Sequence, residues 1–178
     1  MATVKDINKI PTLIEEMPGI HNRVAMRLGD YIAGLLLDKI RMQDSRWKPL
    51  APSTIAAKGS TKAWIDTGEI FSLLENRSQS VRLSGSNPTT LQVGIFEHEK
   101  GYIAQLLEYG TESFTIIPSG KRALHWGGDA GPVVKSVHHP GIPERPLFRF
   151  VFDDELENII NMAQKLFDEE LDIVLKKL

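Results

Sequence analysis

The residues in this chain best suited to acid–base or metal chemistry are five histidines, at positions 21, 98, 125, 138 and 139. His138 and His139 are adjacent, and neighbouring side chains on a strand point to opposite faces. A catalytic zinc site needs three converging protein ligands, and no His-Glu-x-x-His spacing or similar helical pairing occurs. The histidines therefore read as solvent-facing or structural, with a metal-dependent hydrolase or nuclease built on His138, His139 and nearby acids as the weaker alternative. There is no cysteine, which removes disulfides, thiolate nucleophiles and Cys-based metal sites. No Gly-x-Ser-x-Gly elbow is present, and Gly127-Gly128 lies in no phosphate-cradling motif. Glu97/Glu99 and Glu169/Glu170 read as solvated acidic faces. No metal, cofactor or catalytic residue is expected.

Lys121, Arg122 and Lys135, with Lys100, form the one candidate basic cluster. The chain carries 21 Lys+Arg against 23 Asp+Glu, a net charge of −2. That balance argues against a protein whose main task is coating nucleic acid or an anionic membrane. Weak, sequence-blind contact with DNA passing through a channel is compatible with it. No run approaches the ~20 apolar residues of a membrane span, and Met-Ala-Thr-Val-Lys-Asp at the N-terminus has no apolar signal core. The expectation is a soluble protein made in the cytoplasm without membrane partners.

What remains conspicuous is a set of stiff loop segments: Trp47-Lys48-Pro49-Leu50, Thr67-Gly68-Glu69, Glu108-Tyr109-Gly110-Thr111 and Ile142-Pro143-Glu144-Arg145-Pro146. Arg145 precedes Pro146, so its backbone is biased to extended geometry. A pinned arginine there suits a multi-donor clamp on backbone carbonyls or a carboxylate.

The elements that position these loops follow from periodicity. Ile20, Val24, Leu28, Tyr31, Ile32, Leu35, Leu36 and Ile40 recur at three- and four-residue steps, predicting a helix to Met42. Pro18-Gly19 separates it from a short helix at Thr12–Met17, capped by a Thr12/Glu15 box; Gly29 and Gly34 are expected at close packing contacts. A short helix is predicted from Ser53 to Lys58, ending at Gly59, and another begins at Asp66-Thr67-Gly68-Glu69. Val81 and Leu83, then Leu91, Val93 and Ile95, alternate as a hairpin around Gly85-Ser86-Asn87-Pro88. Two helical turns follow at Tyr102–Leu107, with Gly110 as left-handed terminator. Phe114–Ile117 and Ala123–Trp126 are strands joined by a turn at 118–120, with Val133, Val134 and Val137 returning as partner strand across a mobile tip at 127–132. The prolines of 140–146 exclude a helix interior or central strand. A final helix is predicted from Asp153 to Lys177, with Ile160 and Phe167 in its buried stripe. The expected fold is α+β: a small, mostly antiparallel sheet packed against long N-terminal and C-terminal helices. Residues 1–178 read as a single domain, with 1–18 as an N-terminal arm or short helix.

The loop segments, in their order, resemble those of the tailed-bacteriophage tail-completion and virion-morphogenesis proteins, near the family named for the HK97 tail component. The matching pieces are Trp47-Lys48-Pro49-Leu50 with Thr54, Asp66-Thr67-Gly68-Glu69-Ile70 with Leu73 and Leu74, and Tyr102-Ile103-Ala104 leading into Glu108-Tyr109-Gly110-Thr111. The last is His138-His139-Pro140-Gly141-Ile142-Pro143-Glu144-Arg145-Pro146-Leu147-Phe148, before the final helix. The resemblance covers roughly residues 20 to 178. It implies a non-enzymatic structural protein of the virion neck or tail, a cyclic homo-oligomer (often a hexamer) joining tail to head. The implied neighbours are connector, terminator and tail-tube proteins; a tail terminator or head–tail connector is the alternative within the same class. The expected anchoring or interface residues are Trp47, Pro49, Gly68, Glu108, Gly110, Pro143, Arg145 and Pro146.

Overall fold

A computed structural model of the chain describes residues 9–85, 90–125 and 131–177. The first eight residues of the expected 1–18 arm, residues 86–88 of the expected 85–88 turn, Trp126, most of the 127–132 tip and Leu178 lie outside them. The architecture is α+β, as expected, and its frame is an antiparallel pair of long helices.

The first, α1, spans Ile10–Met42 without interruption and carries Pro18 inside it. This corrects the expected break at Pro18-Gly19 and the capping box at Thr12. A mid-helix proline deprives the carbonyl four residues earlier of its donor. Here that carbonyl belongs to exposed Ile14, and Pro18 is itself exposed, so water can supply the bond. The second, α6, spans Phe148–Leu175, starting one and a half turns before the predicted Asp153. Its buried apolar residues are Val151, Ile159, Leu166 and Val174, at steps of seven and eight, with Glu170 the one buried charge. Ile160 is 58% exposed and Phe167 only half-buried, a second correction. The helix carries two apolar stripes side by side, and α1 covers one of them.

Shorter elements sit around this pair. Helix α2 (Pro52–Lys58) ends at Gly59 with φ +67°, and α3 (Glu69–Glu75) starts from Gly68 with φ +87°; both ends match the sequence reading. A single turn, α4 (Arg77–Ser80), leads into β1 (Val81–Ser84), which pairs antiparallel with β2 (Thr90–Val93) in the register Val81↔Val93. Helix α5 runs His98–Tyr109, starting about a turn earlier than predicted, because the Glu97 carboxylate accepts from the Glu99 and Lys100 amides at 3.2 and 2.6 Å.

The remaining strands form one long ribbon. β3 (Phe114–Ile116) pairs with β6 (Val137–His139), and further out β4 (Leu124–His125) pairs with β5 (Val133–Val134). The β4–β5 pairing agrees with expectation. β3 and β4 do not pair with each other, because the chain at 117–123 bulges within a nested hairpin instead of turning back. The described strands thus form three two-stranded antiparallel ladders.

One core cluster joins Ile32, Leu36 and Ile40 of α1, Trp47, Trp64, Leu74, Ala104, Leu147, Val151 and Ile159. Gly29 lets β1 and β2 approach α1: a Cβ there would collide with Val81 Cγ1 and stand 3.0 Å from Leu91 Cδ1. Gly34 faces open space, against the expectation of close packing. Gly29→Ala should therefore lower stability by about 1–3 kcal/mol through overpacking. Gly34→Ala should raise it by up to ~1 kcal/mol through helix propensity. Thermal melting of the two variants checks the opposite signs.

Candidate functional site

Three of the four stiff loops, all but Thr67-Gly68-Glu69, converge on Arg145, which is 3% exposed. Its guanidinium donates from Nε to the Lys48 carbonyl at 2.8 Å, from Nη2 to that of Pro49 at 3.0 Å and from Nη1 to that of Pro143 at 3.2 Å. A planar, five-donor fork matches such a fan of carbonyls as no ammonium can. Among the described residues no carboxylate pairs with it, and burial pulls its pKa below the ordinary arginine value. The Arg145 backbone is held as tightly: its N–H donates to the Leu107 carbonyl at 2.6 Å, and its carbonyl accepts from Trp64 Nε1 at 2.9 Å. The next carbonyl, of Pro146, accepts from Trp47 Nε1 at 2.8 Å.

Glu108, 4% exposed, faces the other side of this strand of chain. Its carboxylate accepts from the amides of Leu147, Phe148 and Arg149 at 2.6, 3.1 and 3.0 Å. These are orphan donors at the start of α6, where a negative charge also opposes the helix dipole. Arg149 adds bonds from Nη2 to the Glu108 carbonyl at 2.7 Å and to Glu144 at 2.9 Å. This cap comes from a residue 39 positions away, which is why α6 starts earlier than its local sequence signals.

Two glycines permit the crossing of 110–112 over 141–144. Gly110 has φ +68° and Gly141 φ +90°, and a Cβ on either would strike backbone, Ile142 O for Gly110 and Thr111 O for Gly141. The Gly110 ψ of −172° takes it outside the left-handed helical region, so it needs glycine without being the expected αL terminator. Thr111 N–H donates to the Ile142 carbonyl, and Ile142 N–H to Thr111 Oγ1, both at 2.9 Å.

Of the eight residues singled out in the sequence, Trp47, Glu108, Arg145 and Pro146 are buried, Gly68 and Gly110 half-buried, and Pro49 and Pro143 exposed. The buried side chains that carry hydrogen-bonding groups are spent on the chain's own backbone. A groove of about 900 Å³ runs alongside, with Pro49, Gly68, Pro143 and Arg145 in its walls. Sequence reasoning missed Trp64, at φ +62°, although an indole within Ala63-Trp64-Ile65 is an apolar signal in an otherwise polar loop. It also missed Gln43, at φ +58°, whose amide donates to the Ala63 carbonyl at 3.1 Å and accepts from its N–H at 2.6 Å.

His138 and His139 lie on β6 opposite Thr115 and Phe114. His139 stacks on Phe114 with centroids 4.7 Å apart, and its Nδ1 accepts from Gly141 N–H at 3.1 Å. Among the described residues no group of three His, Asp or Glu side chains is placed to hold a metal ion. Lys100, grouped above with the basic cluster, pairs with Glu69 of α3, whereas Lys121 and Arg122 lie in the bend between β3 and β4 and Lys135 in that between β5 and β6.

Ion pairs fix both ends of the helix pair. Lys39 and Arg46 bridge Asp44 and Asp154 at 2.5–3.1 Å, and Arg23 and Arg27 hold Glu170 at 2.6 and 3.2 Å. Bonds from Arg46 draw Asp44 well below the ordinary carboxylate range and lower the pKa of Asp154, and the bond from Arg23 lowers that of Glu170. The unfolded chain thus takes up protons first as pH falls. The stabilisation is complete above an unfolded pKa of about 4 and is lost as pH drops through the folded values. Melting temperature should fall steadily from pH 5 to pH 2, and Asp44→Asn should flatten that decline. An unaltered slope in the variant would contradict this.

Set against known families, curated proteins and solved structures, the chain matches none of them.

Proposed function

We propose that this chain is a non-enzymatic structural subunit of a tailed-phage neck, a tail-completion protein forming a cyclic ring that joins tail to head. The observation that carries the reading is the convergence of its motif segments on Arg145. Trp47-Pro49, Glu108-Gly110 and Gly141-Leu147, dispersed over a hundred positions, meet in one knot. Catalytic sites hold polar side chains ready for a substrate; here the polar groups are used to fix loop against loop. Rigid loops suit repeated subunit contacts, since little freedom is lost when they dock. Its partners are then further copies of itself and the connector, terminator or tail-tube proteins on either side, with only non-specific contact to DNA in the channel. Tail terminator and head–tail connector remain the neighbouring alternatives.

Deleting the gene from its phage genome tests the assignment. A tail-completion role predicts filled heads and finished tails that stay separate in the lysate and join when purified protein is added. Tubes of uncontrolled length point to a terminator instead, and infectious particles formed without the protein reject the reading.

A further inference from the structure

Two surfaces of this chain are incomplete, and they complement each other. The ribbon of β3–β6 and β4–β5 lacks the support that α1 gives to β1–β2. All three β3 residues are exposed, as are Ile117 and Val133. A two-stranded ribbon alone is marginal in water. It also carries Lys121, Arg122 and Lys135, all exposed and, among the described residues, without a carboxylate partner.

The second surface is the uncovered stripe of α6. Phe152, Leu156 and Ile160 stand in line at four-residue steps and are exposed. Asp153 and Glu157 lie along one side of the stripe and Asp168 about two turns beyond its end; all three are exposed and, among the described residues, without a cationic partner. Over its whole length α6 holds eight carboxylates against two cations.

We infer that the ribbon of one copy lies along the α6 stripe of the next, the apolar residues meeting in the middle and Lys121, Arg122 and Lys135 facing Asp153, Glu157 and Asp168. This rests on the ring reading above. The two patches are different surfaces, so the contact is heterologous, and heterologous contacts repeated by rotation close into rings. A pairing of two α6 stripes would instead stop at a dimer and set the unpaired carboxylates of one copy, Asp153 and Glu157 among them, against those of the other.

The test uses two charge-reversed proteins, one with Lys121→Glu, Arg122→Glu and Lys135→Glu, the other with Asp153→Lys, Glu157→Lys and Asp168→Lys. All six sites are exposed, and circular dichroism should show both variants folded. Native mass spectrometry at low salt should find each alone dissociated, with an assembly midpoint shifted roughly tenfold or more from wild type. Mixing the two should restore oligomers with strictly alternating, even-numbered composition, because each ribbon then meets an opposite charge. Wild-type assembly should weaken as salt shortens the screening length to about 3 Å near 1 M. Variants that assemble as wild type, or a mixture that fails to recover, overturn the docking while leaving the ring reading intact. A wild-type chain that remains monomeric throughout overturns the docking, and the gene-deletion phenotype then decides the neck assignment separately. Loss of duplex-DNA retention in the protein with Lys121→Glu, Arg122→Glu and Lys135→Glu, with unchanged assembly, would give the ribbon to nucleic acid instead.

Discussion

Arg145→Ala is expected to lower the stability of this protein by about 3–5 kcal/mol, read as a fall in the urea midpoint at unchanged slope. Each bond from a charged donor to a buried carbonyl is worth about 1.5–3 kcal/mol, and three are lost together. The sum overstates the effect, because Pro49 and Pro143 are exposed and water recovers part of what their carbonyls lose. Such a loss is a large share of the 5–15 kcal/mol typical of a folded domain. Arg145→Lys should recover less than half of it, since one ammonium cannot reach three divergent acceptors. His138→Ala, at an exposed strand position, should stay within about 0.5 kcal/mol of wild type. A cost below 1 kcal/mol for Arg145→Ala would show that the loops hold together without the clamp.

Glu108→Ala is the second large effect, at about 2–4 kcal/mol. It leaves three amides at the start of α6 without an acceptor and removes a negative charge from the positive end of the helix dipole. Glu108→Gln should fall between, because one amide oxygen still accepts but carries no charge. The loss has a local signature: the amides of Leu147, Phe148 and Arg149 should exchange with solvent far faster in Glu108→Ala, while those around Leu36 change only with global stability. Uniform acceleration along the chain would place the effect of Glu108 elsewhere.

What the sequence disclosed is what neighbouring residues decide among themselves. Gly59 ends α2, Gly68 starts α3, and the alternation of Val81, Leu83, Leu91 and Val93 sets a hairpin register, all through local sterics and period. The pinned geometry of 140–146 follows from its prolines in the same way. What it concealed depends on distant partners. The start of α6 is set by a carboxylate on α5, and the continuity of α1 through Pro18 by the exposure of that turn. Periodicity finds the apolar stripes of α6 but cannot choose which one α1 covers, so Ile160 falls on the open side. The node itself was half legible. Arg145 stands out because flanking prolines fix its backbone, whereas Trp64 and Gln43 lie in unremarkable loop sequence and adopt positive φ only because the assembled node holds them there.

The proposed repeated subunit rests on the knot around Arg145, which ties three loops together, and on the exposed apolar faces of the ribbon and of α6. A reconstruction of the neck of particles containing this protein tests that claim most directly. It should show a closed ring in which every copy touches two neighbours through unlike surfaces. A single copy per particle, or copies that do not touch, would contradict it.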